Sequence, residues 1–277
     1  MTKSYLAEIT TEAATGETAR IYEEIRTHTG GPLVALIYRH LASMPGALEA
    51  VWRSAAPLLA TGELQARAAE IAANAWAGKV PSPSAGVRDM RAASLAHARD
   101  VVDAYNRSNP VNYMIVCVIR AAASPAQSPG ARPAADTARR APWLPPSRIG
   151  SIASIPALDA LSPRARAQVD TFAKSGHNGA PMLAPTLYRH IAHWPALLSM
   201  TVREVAPRLE RKEFASAIDA FQAAISAAAA HLARDHAVAA DPILETPRVT
   251  AVFERFSQAI PEMVVVGHFL RRVLDKV

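Results

Sequence analysis

The segment YRHLASMPGALEAVWRSAAPLL, residues 38–59, is written again 150 residues later as YRHIAHWPALLSMTVREVAPRL, residues 188–209. The two align without a gap and agree at ten of twenty-two positions: Tyr, Arg, His, Ala, Pro, Leu, Arg, Ala, Pro and Leu. Shared helical composition does not give identities in that order, so the chain reads as two copies of one unit. Weaker parallels lengthen the unit. TGETARIYEEI before the first copy resembles SPRARAQVDTF before the second, and AYNRSNPVNYMIVCVIR resembles ERFSQAIPEMVVVGHFLR when Pro110 is laid on Pro261.

Both copies read as helical. Alanine, leucine and arginine are abundant, only 12 of 277 residues are glycine, and strand-like alternation is hard to find. Each copy is expected to hold one helix like that over about 14–28, one ending before Met44-Pro45 or Trp194-Pro195, one starting at that proline, and two or three more. Proline suits a helix start and pushes the residue before it out of the α region, which breaks both copies at the same place. Between the copies, residues 122–154 are rich in Pro, Ala, Ser and Arg and carry no apolar period. They read as a linker. The expected architecture is all-α: two tandem helical repeats, residues 1–121 and 155–277, forming a pseudo-two-fold dimer within one chain, with the long Pro/Ala-rich linker wrapping between them.

Half the residues are apolar, enough to bury a sizeable core without disulfides. The single cysteine, Cys117, lies in the apolar run MIVCVI and reads as a small buried hydrophobe. The N-terminus lacks a basic start followed by an apolar stretch, and no segment approaches a membrane span, so a soluble cytoplasmic protein is expected. The net charge of +6 comes from scattered Lys and Arg, without a basic block interleaved with aromatics. That pattern argues against nucleic acid and is compatible with attraction for anionic ligands. The expected partner is a small molecule, with neither nucleic acid nor membrane, and a homodimer is compatible.

No GxSxG, P-loop, dinucleotide-binding glycine pattern or CxxC pair is present. His190 and His193 are three apart, but no further ligands stand near, so no metal and no cofactor is expected. A metal or haem carrier using His40 and His190 is the weakest alternative. Arg and His in the last turn of a helix interact favourably with its negative end, which serves both copies alike. His40 and His190 are also candidates for a general base. The stretch YNRSNPVNY, residues 105–113, places amides beside an apolar run, where each needs a hydrogen-bond partner. The second copy has Ile260 where the first has Asn109. An architectural need would act on both copies, so Asn109 is a functional candidate, unless it only caps a helix ahead of Pro110.

YEEIRTHTGGPLVALIYRHLASMPGALEAVWR from Tyr22, AYNRSNPVNY from Ala104 and NGAPMLAPTLYRHIAHWP from Asn178 together resemble the group I 2-haloacid dehalogenases, the DehI-like family. The resemblance implies an all-helical fold of two repeats with a site between them. It also implies hydrolysis of small 2-halocarboxylic acids of either hand, an aspartate activating a water that attacks carbon directly. By the same resemblance, Asn109 matches the asparagine that holds the aspartate and water, and Thr186 the small hydroxyl residue before the aspartate. Leu33 and Leu36 correspond to two aromatic pocket residues, and Asn112, with Tyr113 beside it, to a tyrosine. The aspartate itself falls on Leu187, which cannot accept a proton, and no acidic residue lies between Asp170 and Glu204.

The expectation is therefore a divergent member acting on a small, carboxylic acid-like molecule by other chemistry. Acid or base would come from Tyr188, His190, Tyr38 or His40, with Asn109 and Thr186 orienting substrate. Arg39 and Arg189 each suit either a substrate carboxylate or a structural salt bridge. The alternatives are a dehalogenase with a different base, and a non-catalytic binding or structural protein.

Overall fold

A computed structural model describes residues 5–123, 149, 151–174, 181–239 and 241–277. The linker region lies outside these residues except at 122, 123, 149 and 151–154, as does part of the third motif, 178–180. Among the described residues the chain is helical, with two isolated β-bridges, Tyr5 to Met182 and Lys174 to Leu183, and no strand.

The helices are α1 (Gly16–Thr29), α2 (Leu36–Leu41), α3 (Ala47–Thr61), α4 (Glu63–Ala72), α5 (Ala85–Arg88) and α6 (Ala92–Ala122). They continue with α7 (Pro163–Asp170), α8 (Thr186–Ile191), α9 (Pro195–Leu209), α10 (Lys212–Asp235) and α11 (Pro247–Leu274). The bounds of α2 and α8 differ by 150 residues, while those of their followers, α3 and α9, differ by 148. The followers start differently. α9 begins at Pro195 as the sequence suggests, but α3 begins two residues after Pro45, because Gly46 sits at φ 75°, a left-handed conformation that no helix continues through.

α6 and α11 pack along each other, α10 lies against α6, and one buried apolar cluster takes residues from both halves of the chain. Both central helices run through a proline, Pro110 and Pro261. Asn109 is thus inside a 31-residue helix, and the expected cap ahead of Pro110 is not there. Tertiary burial on both sides of the proline outweighs the lost backbone bond. At Pro261 the loss is repaired: the Ser257 carbonyl, four residues back, accepts a hydrogen bond from Gln222 Nε2 of α10 at 3.0 Å. Gln222→Leu leaves that carbonyl without this donor and is expected to cost about 1–2 kcal/mol in urea unfolding. An unchanged midpoint would show that the bond adds nothing.

The segment before α1 ties the halves together. Leu6 N–H donates to the Met182 carbonyl, Ile9 N–H to the Arg39 carbonyl, and the Tyr22 hydroxyl to the Ile9 carbonyl. Glu8 lies between the two repeated arginines: Oε2 is 2.9 Å from Arg39 Nη1 and Oε1 is 3.2 Å from Arg189 Nη1. Next to it, His40 Nδ1 is 2.6 Å from the Ala7 carbonyl, which fixes Nδ1 as the donor. Three residues of the duplicated Tyr-Arg-His are therefore anchors for one N-terminal strap.

Candidate functional site

α2 and α6 from the first copy meet α8 and α11 from the second around a small cavity. Asn109 and Thr186 supply its polar wall; Leu36, Phe256, Ile260 and Met263 supply most of the apolar one. Its free volume is about 10 Å³, room for about one water molecule. Asn109 is buried and its Nδ2 has no hydrogen-bond partner, a cost that a purely architectural residue would not be expected to keep.

Thr186 opens α8, and its neighbour in space is a side chain that the sequence reading passed over. The Tyr105 hydroxyl of α6 is 3.4 Å from His190 Nδ1, with the two rings edge to face at 5.8 Å. Burial pushes the Tyr105 phenol up to about 12, a rise that the Thr186 hydroxyl and the charges of Arg39 and Arg189 offset in part. His190 is wholly buried, which holds its imidazole down to about 4; the Ala153 backbone pulls the other way, while His193, Arg189 and Arg39 add to the depression. The ring is neutral at pH 7.

This depression has a sign in stability. Between about 6.5, the ordinary histidine value, and about 4, the unfolded chain binds a proton that the folded one refuses, so stability falls as pH falls through that window. His190 alone accounts for roughly 3 kcal/mol of that loss. His40 and His268, both lowered chiefly by burial, add in the same direction. His190→Leu is expected to flatten the acid limb of a stability–pH curve measured by urea unfolding; an unchanged slope would place the titration elsewhere.

The remaining candidates are dispersed. Leu187 is fully buried and not part of the cavity wall, and Leu33, three residues before the start of α2, is buried without lining the cavity either. Asn112 is buried with Oδ1 unpartnered, and Tyr113 stacks on Phe221 of α10, away from α8. Tyr38 is buried and its phenol is pushed up by burial. Tyr188 stacks on Phe172 at 3.8 Å and donates to Glu262 Oε1 at 3.2 Å, while Lys174 Nζ contacts Glu262 Oε2. Arg39 holds Glu8 through Nη1, while its Nε and Nη2 are buried without partners. His193 Nε2 lies 2.9 Å from the Ser154 carbonyl, and among the described residues no three His, Cys, Asp or Glu side chains converge as a metal set would.

Two residues were missed that the same alignment exposes. With Pro110 on Pro261, Tyr105 falls on Phe256 and Val111 on Glu262, so a hydroxyl and a carboxylate each stand in one copy only. A larger concavity, about 750 Å³ between α4 and α10, contains none of the candidate residues. Its floor is alanine-rich, and of its carboxylates Glu70 pairs with Arg67 and Glu63 with His236. The small cavity, with its unpartnered donor and its hydroxyl network, holds the better case for chemistry.

No family model matches the chain, and no curated protein matches it. Among solved structures it is similar over 99% of its length, and 98% of theirs, to a D-2-haloacid dehalogenase in complex with L-LA, at TM-score 0.74 and 17% identity. A D-2-haloacid dehalogenase mutant with D-2-CPA gives TM-score 0.68 at 17% identity, covering 100% of this chain and 98% of that one. A further D-2-haloacid dehalogenase mutant gives 0.70 at 16%. The chain thus has the helical fold of the D-2-haloacid dehalogenases. Among the described residues no helix is long and apolar enough to cross a membrane.

Proposed function

We propose that the cavity among α2, α6, α8 and α11 is the binding site for a small, carboxylic acid-like molecule. On this proposal the protein is an enzyme of dehalogenase-like fold whose chemistry is not ordinary hydrolytic dehalogenation. The observation that carries it is the buried, unpartnered Asn109 Nδ2 on the wall of a cavity whose lining, Thr186 aside, is otherwise apolar. A donor kept without a partner in the folded chain is one that a ligand can satisfy. Arg39, buried with Nε and Nη2 unpartnered, adds positive charge on α2, the helix that carries Leu36 of the cavity wall. Leu187 is the reason to set aside water activation by a carboxylate, since an aliphatic side chain cannot take a proton.

The small free volume favours a second reading, a non-catalytic binding protein whose site has been filled by Leu36, Ile260 and Met263. A dehalogenase that uses another base is a third, and the buried Glu262 and His190 are its available groups.

Calorimetric titration with 2-chloropropionate and an assay of halide release separate these. Binding without halide release is expected; release at the rate of an ordinary enzyme would overturn the use made of Leu187. Asn109→Leu removes the unpaired donor, so its thermal stability is expected to equal or exceed that of the parent while 2-chloropropionate binding is lost. Retained binding in that variant would remove Asn109 from the site.

A further inference from the structure

We infer that the Nε–Nη2 edge of the Arg39 guanidinium is a buried binding site for a chloride ion, the missing counter-charge of the Glu8, Arg39 and Arg189 cluster. Arg39 does not line the small cavity, so this site is separate from it and stands without the ligand proposed there.

Charge is the first reason. Among the described residues Glu8 is the one carboxylate within ion-pair distance of either arginine, and it meets each through Nη1. Two guanidinium groups against one carboxylate leave a single positive charge uncompensated. Both arginine side chains are buried, where such a charge is costly. Glu12, further along the strap, is exposed; its carboxyl is held down chiefly by the Thr11 hydroxyl, and Arg39 acts on it least. His190, kept neutral at pH 7 by burial and by both arginines, adds no negative charge.

The repeated stretch supplies an independent reason. Arg39 and Arg189 occupy the same place in the two aligned segments. Arg189 closes its Nε–Nη2 edge on a single atom, the Pro156 carbonyl oxygen, at 3.3 and 3.0 Å. On Arg39 the same two nitrogens are buried without a hydrogen-bond partner. Glu8 does not make up for it: its Oε2 is 2.9 Å from Arg39 Nη1 yet is itself left without a directed hydrogen bond. Among the described residues, then, one edge is closed by one acceptor atom of the chain and its counterpart is not. A monatomic anion takes the place of that one oxygen and also brings the charge that a water molecule lacks. Sulfate and phosphate are larger and, at two negative charges, exceed the single charge to be balanced.

The N-terminal strap encloses the site. Ile9 N–H donates to the Arg39 carbonyl, and the neighbouring His40 is held to the Ala7 carbonyl. An ion kept there binds the folded chain and not the unfolded one, so it raises stability with the logarithm of its concentration.

The direct test is anomalous diffraction from crystals of the full-length protein soaked in sodium bromide. A bromide peak within hydrogen-bond reach of both Nε and Nη2 of Arg39 is expected; an edge without a peak, or one closed by water, overturns the site. In solution, the melting temperature is followed against sodium chloride, with sodium gluconate holding the ionic strength constant. Above the dissociation constant each tenfold rise in chloride is expected to add about 3–6 °C. Arg39→Lys keeps a positive charge beside Glu8 but has no such edge, and is expected to lose both the peak and the chloride response. An unchanged response in Arg39→Lys overturns the assignment, and the bromide map of the unmodified protein decides if that variant does not fold. Asn109→Leu is expected to keep the response; its loss there would put the ion in the cavity and overturn the separate site. A rise with sodium formate and none with chloride overturns the halide.

Discussion

Glu8→Gln is expected to lower stability by about 3–5 kcal/mol, because it leaves two buried guanidinium groups facing a neutral amide. The side chains of Arg39 and Arg189 are 6% and 7% exposed and that of Glu8 18%, so water cannot replace the lost carboxylate. The effect is large because one carboxylate serves both copies. For a domain of this size each kcal/mol moves the melting temperature by about 2–4 °C, so the loss is readable by calorimetry as well as by urea. Replacing Glu8, Arg39 and Arg189 together with apolar residues of similar volume is expected to recover most of it. A loss below about 1 kcal/mol in Glu8→Gln would mean that the cluster behaves like an exposed ion pair.

Leu187→Asp is the second large effect, and it acts on stability and chemistry in opposite directions. Leu187 is fully buried, so a carboxylate there is desolvated, its pKa rises, and a cost of several kcal/mol is expected. If the site is otherwise that of a haloacid dehalogenase, halide release from 2-chloropropionate is expected to rise by about 10²-fold or more over the parent. Leu187→Asn is the control, since it adds polarity without a base and is expected to gain nothing. A folded Leu187→Asp protein that releases no more halide than Leu187→Asn would sink the placing of Leu187 at the position of the water-activating aspartate.

How much of the site was legible depends on what each residue does. Asn109 and Thr186 were found by a break in repetition and by resemblance, and both line the same cavity with Leu36. Arg39 and Arg189 stood out as chemistry, and a structural salt bridge was one of two roles open to them; Glu8, the partner that decides it, lies 31 residues before Arg39 in a segment with no repeat signal. Tyr105 lies within YNRSNPVNY, where the amides are the conspicuous groups, and its tie to His190 spans 85 residues. Helical periodicity gives the face of a residue, not the partner that a second helix will bring to it.

The sequence by itself determined that this chain is helical, because propensity is a local property, and it repeats one stretch at ten of twenty-two positions 150 residues later. It also shows no acidic residue between Asp170 and Glu204. Only the tertiary structure decided that both long helices continue through their prolines, since the burial that compensates a missing hydrogen bond comes from α10 and from the opposing helix. The same holds for the repeated Arg and His, whose roles are set by a strap from the N-terminus, and for the Tyr105 hydroxyl, which meets His190 only when α6 crosses α8.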